Sequence, residues 1–600
     1  MKKIQYLLLI MLFLGIQGCD NNLTDIRPDS NSSLAQRSEV NNQSSINTGS
    51  FSVLTYNVAG LPQALSSAPN RDAYTPIIGE LVSDYNIVNV QEDFNYHAAL
   101  YSTDQHAFRT STSGGVPFGD GLNTMSDFSF SDFKRVKWDN CNGTDCLTPK
   151  GFTFMRIRLG EGVYIDLYNA HTNAGSAEAD LSARRSNITQ LSQFIANNSG
   201  GNAVIVMGDL NCRYTRSGDN IRELINNNGL TDVWVQVERN GDYPPIGGNA
   251  LTCSWPDFND VTCEVVDKIL YRSSQYINLN PTSYQLDDDD FVSPDGTDPL
   301  SDHYPIIANF DYSLHSGFIL SDLFGGPHGT PFNDLDDLSP SSTPIGFTVR
   351  AGSRVDNVGV TFSDGSASYQ LQNRGTGLFL DGMGRTANGS TVGQHANTTH
   401  PNAQWELVDA GSGYYQLRNQ GTGLVADGYG RTTDGSDCAQ YAGTTTHPNS
   451  HWALQPYDGI YYRIQNRGTG LFLDGLGYTN NGAACGQWSN TTSHNAQWQL
   501  LSASSGTTLS HGGSGGTAYT LTLSPDEYVN YVKMCSGQKD GHTRIFYIEM
   551  RTNQGRVLSG GTQTSNTREF NIPSGWKLAG FYGNSGVEVD KLGLIYTPVL

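Results

Sequence analysis

Apolar and polar positions alternate along this chain in short runs, and the rhythm changes twice. Between residues 51 and 312, successive apolar, β-branched runs each reach a polar residue. Residues 51–57 close on Asn57, 87–92 on Glu92, and 163–171 on His171. Residues 203–211 run through Val and Ile into Gly208-Asp209-Leu210-Asn211, 265–271 carry Asp267, and 300–306 carry Asp302 and His303. Runs of this length predict strands. Residues 151–157 read as a neighbour of 163–171, and 119–123 as a Gly-rich turn entering a further strand. Helical spacing occurs over 74–82 and 181–195. Strand alternation would place Asp209 and Asn211 on one side, roughly 6–7 Å apart.

After residue 312 the pattern becomes repetitive. The stretch at 369–382 (Tyr369, Asn373-Arg374-Gly375-Thr376-Gly377, Asp381-Gly382) recurs at 415–428 and 462–475. Each copy leads to Asn-x-x-Trp, at Trp405, Trp452 and Trp498. Units of this size cannot bury a core singly, but three can close on one another. Gly/Ser-rich strands with short turns flank the repeats, at 324–334 and 355–365 before them and at 511–516, 545–548 and 586–590 after.

Charge and cysteine content narrow the partners. The chain has 600 residues, 36 basic against 58 acidic, for a net −22. Such a surface repels polyanions at long range, which weighs against broad capture of nucleic acid, while a local carboxylate cluster welcomes a divalent cation. Residues 1–18 read as a signal peptide, too short to span a bilayer. Residues 19–50 are Asn/Ser-rich and read as a disordered linker reaching on the order of 30 Å. Eight cysteines beyond Cys19 suit an oxidising compartment. Cys141/Cys146, Cys253/Cys263 and Cys438/Cys485 are candidate pairs, Cys212 and Cys535 have no evident partner, and no spacing suggests zinc.

Three resemblances organise these features. Tyr56-Asn57, Gln91-Glu92, His171, Gly208-Asp209-Leu210-Asn211, Val266-Asp267 and Ser301-Asp302-His303 together resemble the endonuclease/exonuclease/phosphatase superfamily, which includes deoxyribonucleases, phosphoinositide phosphatases and neutral sphingomyelinases. The resemblance implies a deoxyribonuclease I-like four-layer α/β sandwich over 51–313. It also implies that Asn57, Glu92 and Asp302 hold Mg²⁺ or another divalent cation, whose preference for oxygen ligands they meet. Asp209 and Asn211 would orient water and a phosphate oxygen, Asp267 would orient His303, and His171 would bind the scissile phosphate. Whether Asp209 or His303 is the base stays open. Ala59 stands where abasic-site enzymes of the superfamily carry Asp. Lys150-Gly151, His171-Thr172, Arg184, Arg185 and Gln190 are more similar to the sphingomyelinase branch. The aromatic hairpin that secreted bacterial sphingomyelinases use on membranes is replaced here by Asp287-Asp288-Asp289-Asp290.

The repeats at 368–503 resemble a ricin-type β-trefoil lectin. That implies sugar pockets at Asp381/His395/Asn402, Asp427/Tyr441/Asn449 and Asp474/Trp488/Asn495, with His395 the poorest stacking platform. The flanking pieces, 314–367 and 504–600, resemble a jacalin-like β-prism lectin interrupted by the trefoil, with Gly326, Gly586 and Asp590 at its sugar site. Ile16-Gln17-Gly18-Cys19 resembles a bacterial lipoprotein box, implying acylation of Cys19 and a place in the cell envelope. The expected protein is therefore a multidomain, metal-dependent phosphodiester hydrolase joined to two all-β glycan-binding modules. Its expected partners are a lipid head group or nucleic acid as substrate, glycans, and a membrane through the anchor, with no protein partner. An extracellular nuclease, or an adhesin with an inactive hydrolase domain, are the competing readings.

Overall fold

Backbone pairing turns the alternating runs of the N-terminal half into two six-stranded sheets. The computed structural model describes residues 48–253, 260–287, 289–363, 368–396, 400–442, 446–489, 492–502 and 506–599. The signal peptide, Cys19 and nearly all of the expected linker lie outside them.

The strands are β1 (Thr48–Asn57), β2 (Ile87–Gln91), β3 (Phe108–Arg109), β4 (Asn123–Ser126), β5 (Phe130–Lys137), β6 (Gly151–Gly160), β7 (Val163–His171), β8 (Ala203–Asp209), β9 (Thr231–Asp232), β10 (Asp267–Arg272), β11 (Ile277–Leu286) and β12 (Ile306–Leu314). One sheet has the order β11-β12-β1-β2-β4-β3 and the other β5-β6-β7-β8-β10-β9. Their apolar faces meet: Phe51, Val53, Ile87 and Phe310 from the first share a core with Phe154, Leu167, Ile205 and Ile269 from the second. Helix α1 (Arg71–Leu81) covers the first sheet, burying Tyr74 and Ile78 against Val88 and Val90. Helix α2 (Glu178–Asn198) covers the second with Ile188, Leu191 and Ile195.

Three expectations shift. β1 begins at Thr48, inside the stretch read as linker, because Thr48, Gly49 and Ser50 pair through backbone with Ser313, Tyr312 and Asp311. Residues 300–305 form a loop, and β12 starts only after Pro305, whose missing N–H cannot join a ladder. Finally, β8 ends at Asp209, and Asn211 turns to a left-handed φ of 49°. Strand alternation therefore does not relate Asp209 and Asn211; Asn211 N donates to Asp209 Oδ1 at 3.0 Å, an Asx-type turn.

The remaining chain is all β. Three antiparallel sheets form a prism, and Val355–Ser363 of one sheet pairs with Gly506–Gly512, Ser363 opposite Gly506. The trefoil is thus inserted between two hydrogen-bonded neighbours. Its three Trp are fully buried, and each indole donates to the same place in its own repeat: Trp405 to Leu380 O, Trp452 to Ala426 O and Trp498 to Leu473 O, at 2.8–2.9 Å. Cys141–Cys146 and Cys253–Cys263 are disulfides. Cys438 and Cys485 are free and buried, contrary to the suggested pairing. Each thiol instead faces a carbonyl of its own repeat, Cys438 that of Asp427 and Cys485 that of Asp474.

The prism joins the hydrolase sheets through polar and apolar contacts. Arg158 makes two hydrogen bonds to Asp322, at 3.0 and 2.9 Å, and Tyr164 and Arg568 converge on the same carboxylate. Buried Lys591 pairs with buried Asp132. Leu335, Leu338, Ala579, Tyr582 and Ile595 of the prism belong to the core of the hydrolase sheets. Among the described residues no helix is long and apolar enough to cross a membrane.

Candidate active site

Register builds the site. β7 and β8 run parallel with His171 opposite Asp209, and β10 runs antiparallel to β8 with Asp267 opposite Asp209. Three chemically active side chains thus stand abreast on adjacent strands. In the facing sheet, β1 and β2 run parallel and end together, Asn57 opposite Gln91. Gly208 permits the close approach: at φ 146°, a Cβ there would meet Ala170 O at 2.0 Å. A buried polar seam joins the two sheets behind the site. Gln91 donates to Thr55 Oγ1 (3.1 Å) and Asn169 Oδ1 (2.8 Å), and Asn169 donates to the carbonyls of Val90 and Asn123, both at 3.0 Å.

Asn57 bridges the sheets. Its Nδ2 lies 3.4 Å from Glu92 Oε1 and 3.3 Å from Asp209 Oδ2, and its Oδ1 accepts from Ala59 N at 3.1 Å. Glu92 follows β2 at a left-handed φ of 56°, a conformation costly for a non-Gly residue and typical of functional positions. The loop carrying His303 is fastened to β1 by Ser301 Oγ donating to Asn57 O at 2.6 Å. Buried Arg71 adds to this by bonding the carbonyls of Val58 (2.8 Å) and Leu300.

His303 Nδ1 is 2.9 Å from Asp267 Oδ2, and Nε2 is 3.8 Å from Asp209 Oδ2. Burial alone would lower the His303 pKa, but the carboxylates of Asp267 and Asp209 raise it well above the ordinary value. Burial alone would also raise Asp209, yet His303, His171 and Lys150 together hold it below the ordinary carboxylate range. Asp267 is pushed upward, by burial first and by the Asp209 charge as well, against the pull of His303. The two acids are thus shifted in opposite directions beside one imidazole.

His171 is buried, with Nε2 2.9 Å from Lys150 Nζ and 3.2 Å from Asp209 Oδ2. Its Nδ1 is buried without a hydrogen-bond partner, as is Asp267 Oδ1. Lys150 is ion-paired with Asp145 in the loop closed by Cys141–Cys146, and Asp145 Oδ2 accepts from Ala174 N at 2.7 Å. The sequence reading used Lys150 only as a hint of branch and missed its place beside His171. It also missed Arg71, which there looks like the first polar residue of a surface helix.

Glu92, Asp209 and Asp267 crowd around Asn57 and His303, and like charges this close favour a cation. Ligand atoms of Asp209, Asp267 and His303 all lie within 4.8 Å of one another, so this group is also competent to hold a metal. Asp302 is placed differently from the expected ligand set. It is exposed, accepts a hydrogen bond from Ser67, and has no hydrogen bond to Asn57 or Glu92 among the described residues. Asn211 sits beside Asp209, with Nδ2 3.3 Å from Thr172 O. Arg184 is buried against Asp219 at 2.8 Å and serves the scaffold.

In the trefoil, Asp381, Asp427 and Asp474 each accept from the backbone N–H two residues on, at 2.6–2.7 Å. His395, Tyr441 and Trp488 occupy equivalent register positions opposite Phe379, Val425 and Phe472. Asn402, Asn449 and Asn495 lie against Gly384, Gly430 and Gly477. The second pocket, of about 370 Å³, is lined by Asp427, Tyr441 and Asn449 and also by Tyr429 and His447, which the sequence reading did not assign. In the prism, Gly326 N donates to Asp590 O at 2.8 Å, and Gly586 N to Glu588 O at 2.9 Å. Arg544, unforeseen, lies 3.6 Å from Asp590 Oδ1 and 2.5 Å from Glu588 Oε2.

Fold and site together define a two-sheet hydrolase-type domain, its acid–imidazole pocket at the strand ends, followed by two lectin-type β domains. Comparison with known families finds the same three kinds of domain. Endonuclease/Exonuclease/phosphatase family 2 matches residues 22–239, the ricin-type beta-trefoil lectin domain-like family 358–441 and 443–527, and the jacalin-like lectin domain 495–595. The chain carries an endonuclease/exonuclease/phosphatase domain, a jacalin-like domain and a ricin-type domain. Sphingomyelinases of Mycobacterium bovis and Mycobacterium tuberculosis are 42% identical over 273 residues, 44% of this chain and 53% of theirs. The match therefore spans about half the length of those relatives. Horcolin of Hordeum vulgare is 30% identical over 87 residues, 14% of this chain and 60% of horcolin. Among solved structures, sphingomyelinase C from Streptomyces griseocarneus is 16% identical and covers 44% of this chain and 99% of its own, with a TM-score of 0.31. The designed three-fold symmetric protein ThreeFoil is 34% identical and covers 22% and 97%, with a TM-score of 0.22.

Proposed function

We propose that this protein is a divalent-metal-dependent phosphodiesterase acting on sphingomyelin-class lipids, with Mg²⁺ as its cation, brought to glycan-bearing surfaces by its two lectin modules and tethered to the cell envelope through Cys19. The observation that carries the proposal is the convergence of Asn57, Glu92, His171, Asp209, Asp267 and His303 on one pocket.

Glu92 and Asn57 would hold the cation, with Asp302 at the rim. When bound, it supplies Lewis-acid stabilisation of charge developing on phosphate oxygens. Asp209 and His303 turn their heads to the same space and together orient the attacking water. One of the two takes its proton while the other braces a phosphate oxygen, with Asp267 holding the His303 imidazole in place. Lys150 and His171 face the departing oxygen from the other side, and the proton returned to it comes from this pair. Asn211, fixed beside Asp209, donates its amide to phosphate. The net charge of −22 speaks against DNA as the main substrate.

The test is hydrolysis of sphingomyelin, plasmid DNA and a phosphoinositide in parallel, with and without EDTA. The expected outcome is release of the sphingomyelin head group, abolished by EDTA and restored by Mg²⁺. H303A retaining full activity, or DNA being the only substrate cut, would overturn the reading.

A further inference from the structure

Topology decides which loops surround the mouth of the catalytic pocket. β1, β2, β7 and β8 end there; β4, β6, β10 and β12, antiparallel to their neighbours, begin there. The loops after β1, before β4 and between β5 and β6 therefore stand at that end, and residues 239–253 are held to it because Gly247 N donates to Thr215 O in the loop that follows β8. Among the described residues, each of these segments carries one large apolar side chain turned to solvent: Leu65 is 51% exposed, Phe118 81%, Leu147 50% and Ile246 60%. The other exposed large hydrophobic of this domain among the described residues, Phe108, lies in β3 opposite Ser126, at the far end of β4.

Each loop is also tied to a segment that carries or follows a pocket residue. Ser67, two residues beyond Leu65, hydrogen-bonds Asp302. Gly115, three before Phe118, lies against Asn95, which follows Glu92 by three. Asp145, two before Leu147, holds Lys150, and Gly247, next to Ile246, donates to Thr215 O at 2.9 Å.

Four isolated apolar side chains on separate loops suit a fluid apolar phase, where each inserts independently and no matching cavity is needed in a partner. The acidic stretch after β11 starts at the same end of the sheet, since Leu286 pairs with Ile306 and Asp287 N donates to Pro305 O at 3.1 Å; the Asp287 carboxylate itself is turned to Tyr85, whose OH donates to it at 2.8 Å. The net charge of −22 repels an anionic surface but not a neutral one.

We propose that Leu65, Phe118, Leu147 and Ile246 form an apolar rim that seats the pocket mouth on the interface of a zwitterionic lipid bilayer. The proposal rests on the phosphodiesterase reading for its purpose, since the rim brings a bilayer head group to Asp209 and His303. It stands on exposure and topology for its evidence.

The experiment uses the full chain carrying C19S, so that no acyl chain contributes, and phosphatidylcholine vesicles, which offer the lectin modules no glycan. The parent is expected to cosediment with the vesicles, and L65S/F118S/L147S/I246S to bind at least about tenfold more weakly, in line with loss of buried apolar area. In vesicles containing sphingomyelin, the serine variant should lose hydrolysis while turnover of soluble bis(p-nitrophenyl) phosphate stays at the parent level, which also shows that it is folded. F118W should shift its emission to the blue on vesicle addition. A parent that fails to sediment, a serine variant that sediments equally well, or an unshifted F118W spectrum overturns the rim. Rim-dependent sedimentation without lipid hydrolysis leaves the rim standing and overturns the phosphodiesterase reading. Undiminished vesicle hydrolysis by the serine variant does the reverse.

Discussion

Asp267 Oδ2 lies 2.9 Å from His303 Nδ1, and a prediction at the scale of single residues follows. In D267N the imidazole loses the carboxylate that orients Nδ1 and holds it protonated. We expect kcat on the reacting substrate to fall by about 10²–10⁴, the range for a disabled acid–base group, with little change in thermal midpoint. The double variant D267N/H303A should be hardly worse than H303A, because the two act as one unit; additive losses in steady-state kinetics would refute this. The sequence made six of these positions legible because each ends or begins an apolar run. Lys150 and Arg71 were not legible for the opposite reason. Lys150 follows a disulfide-closed loop without periodicity, and Arg71 is buried only because two distant carbonyls, of Val58 and Leu300, turn toward it. Asp302 was readable as part of Asp302-His303, but adjacency in sequence does not give shared direction, and its carboxylate went to Ser67.

At the scale of elements, the catalytic register depends on how closely β7 and β8 approach at Gly208. The prediction is that G208A, whose Cβ would collide with the Ala170 carbonyl, moves Asp209 away from His171 and lowers stability by about 1–3 kcal/mol. Denaturant unfolding would measure the second effect and kcat the first; a variant with parental values in both would show that the strand pair yields without cost. Most strands were foreseeable from alternation, and helix α2 from its apolar spacing, with boundaries extended by backbone pairing that needs no apolar side chain. What alternation could not supply was the end of β8. The left-handed turn at Asn211 arises from the Asp209 carboxylate accepting a backbone N–H, a local contact that outcompetes one more strand residue.

For the whole molecule, the join between hydrolase and prism makes stability depend on acid. Burial alone would raise the Asp322 pKa, but Arg158, Gly162 N–H and Arg568 pull it down to about 2 from an ordinary 3.8. A depressed carboxylate contributes stability that is present above its unfolded value and lost as pH falls through its folded one. The join should therefore hold above pH 4 and weaken toward pH 2. D322N should show a lower thermal midpoint than the parent at pH 7 and a smaller difference at pH 2; a constant difference across that range would refute the assignment. The sequence revealed three modules and their interruption, because repeats and ordered motifs survive in one dimension. It did not reveal that the modules share a core, since Ala579, Tyr582 and Ile595 look like ordinary prism residues until they are seen under the hydrolase sheets.

That shared core orders events during synthesis. The ribosome releases the strands bearing Asp209 and His303 long before it reaches residue 579, so one apolar flank of the catalytic half stays uncovered while the trefoil is made. A chain cut short within the lectins would emerge with every reactive side chain in its sequence and yet lack part of its own floor. Completion of the last strands is thus what closes the apolar floor beneath the catalytic half.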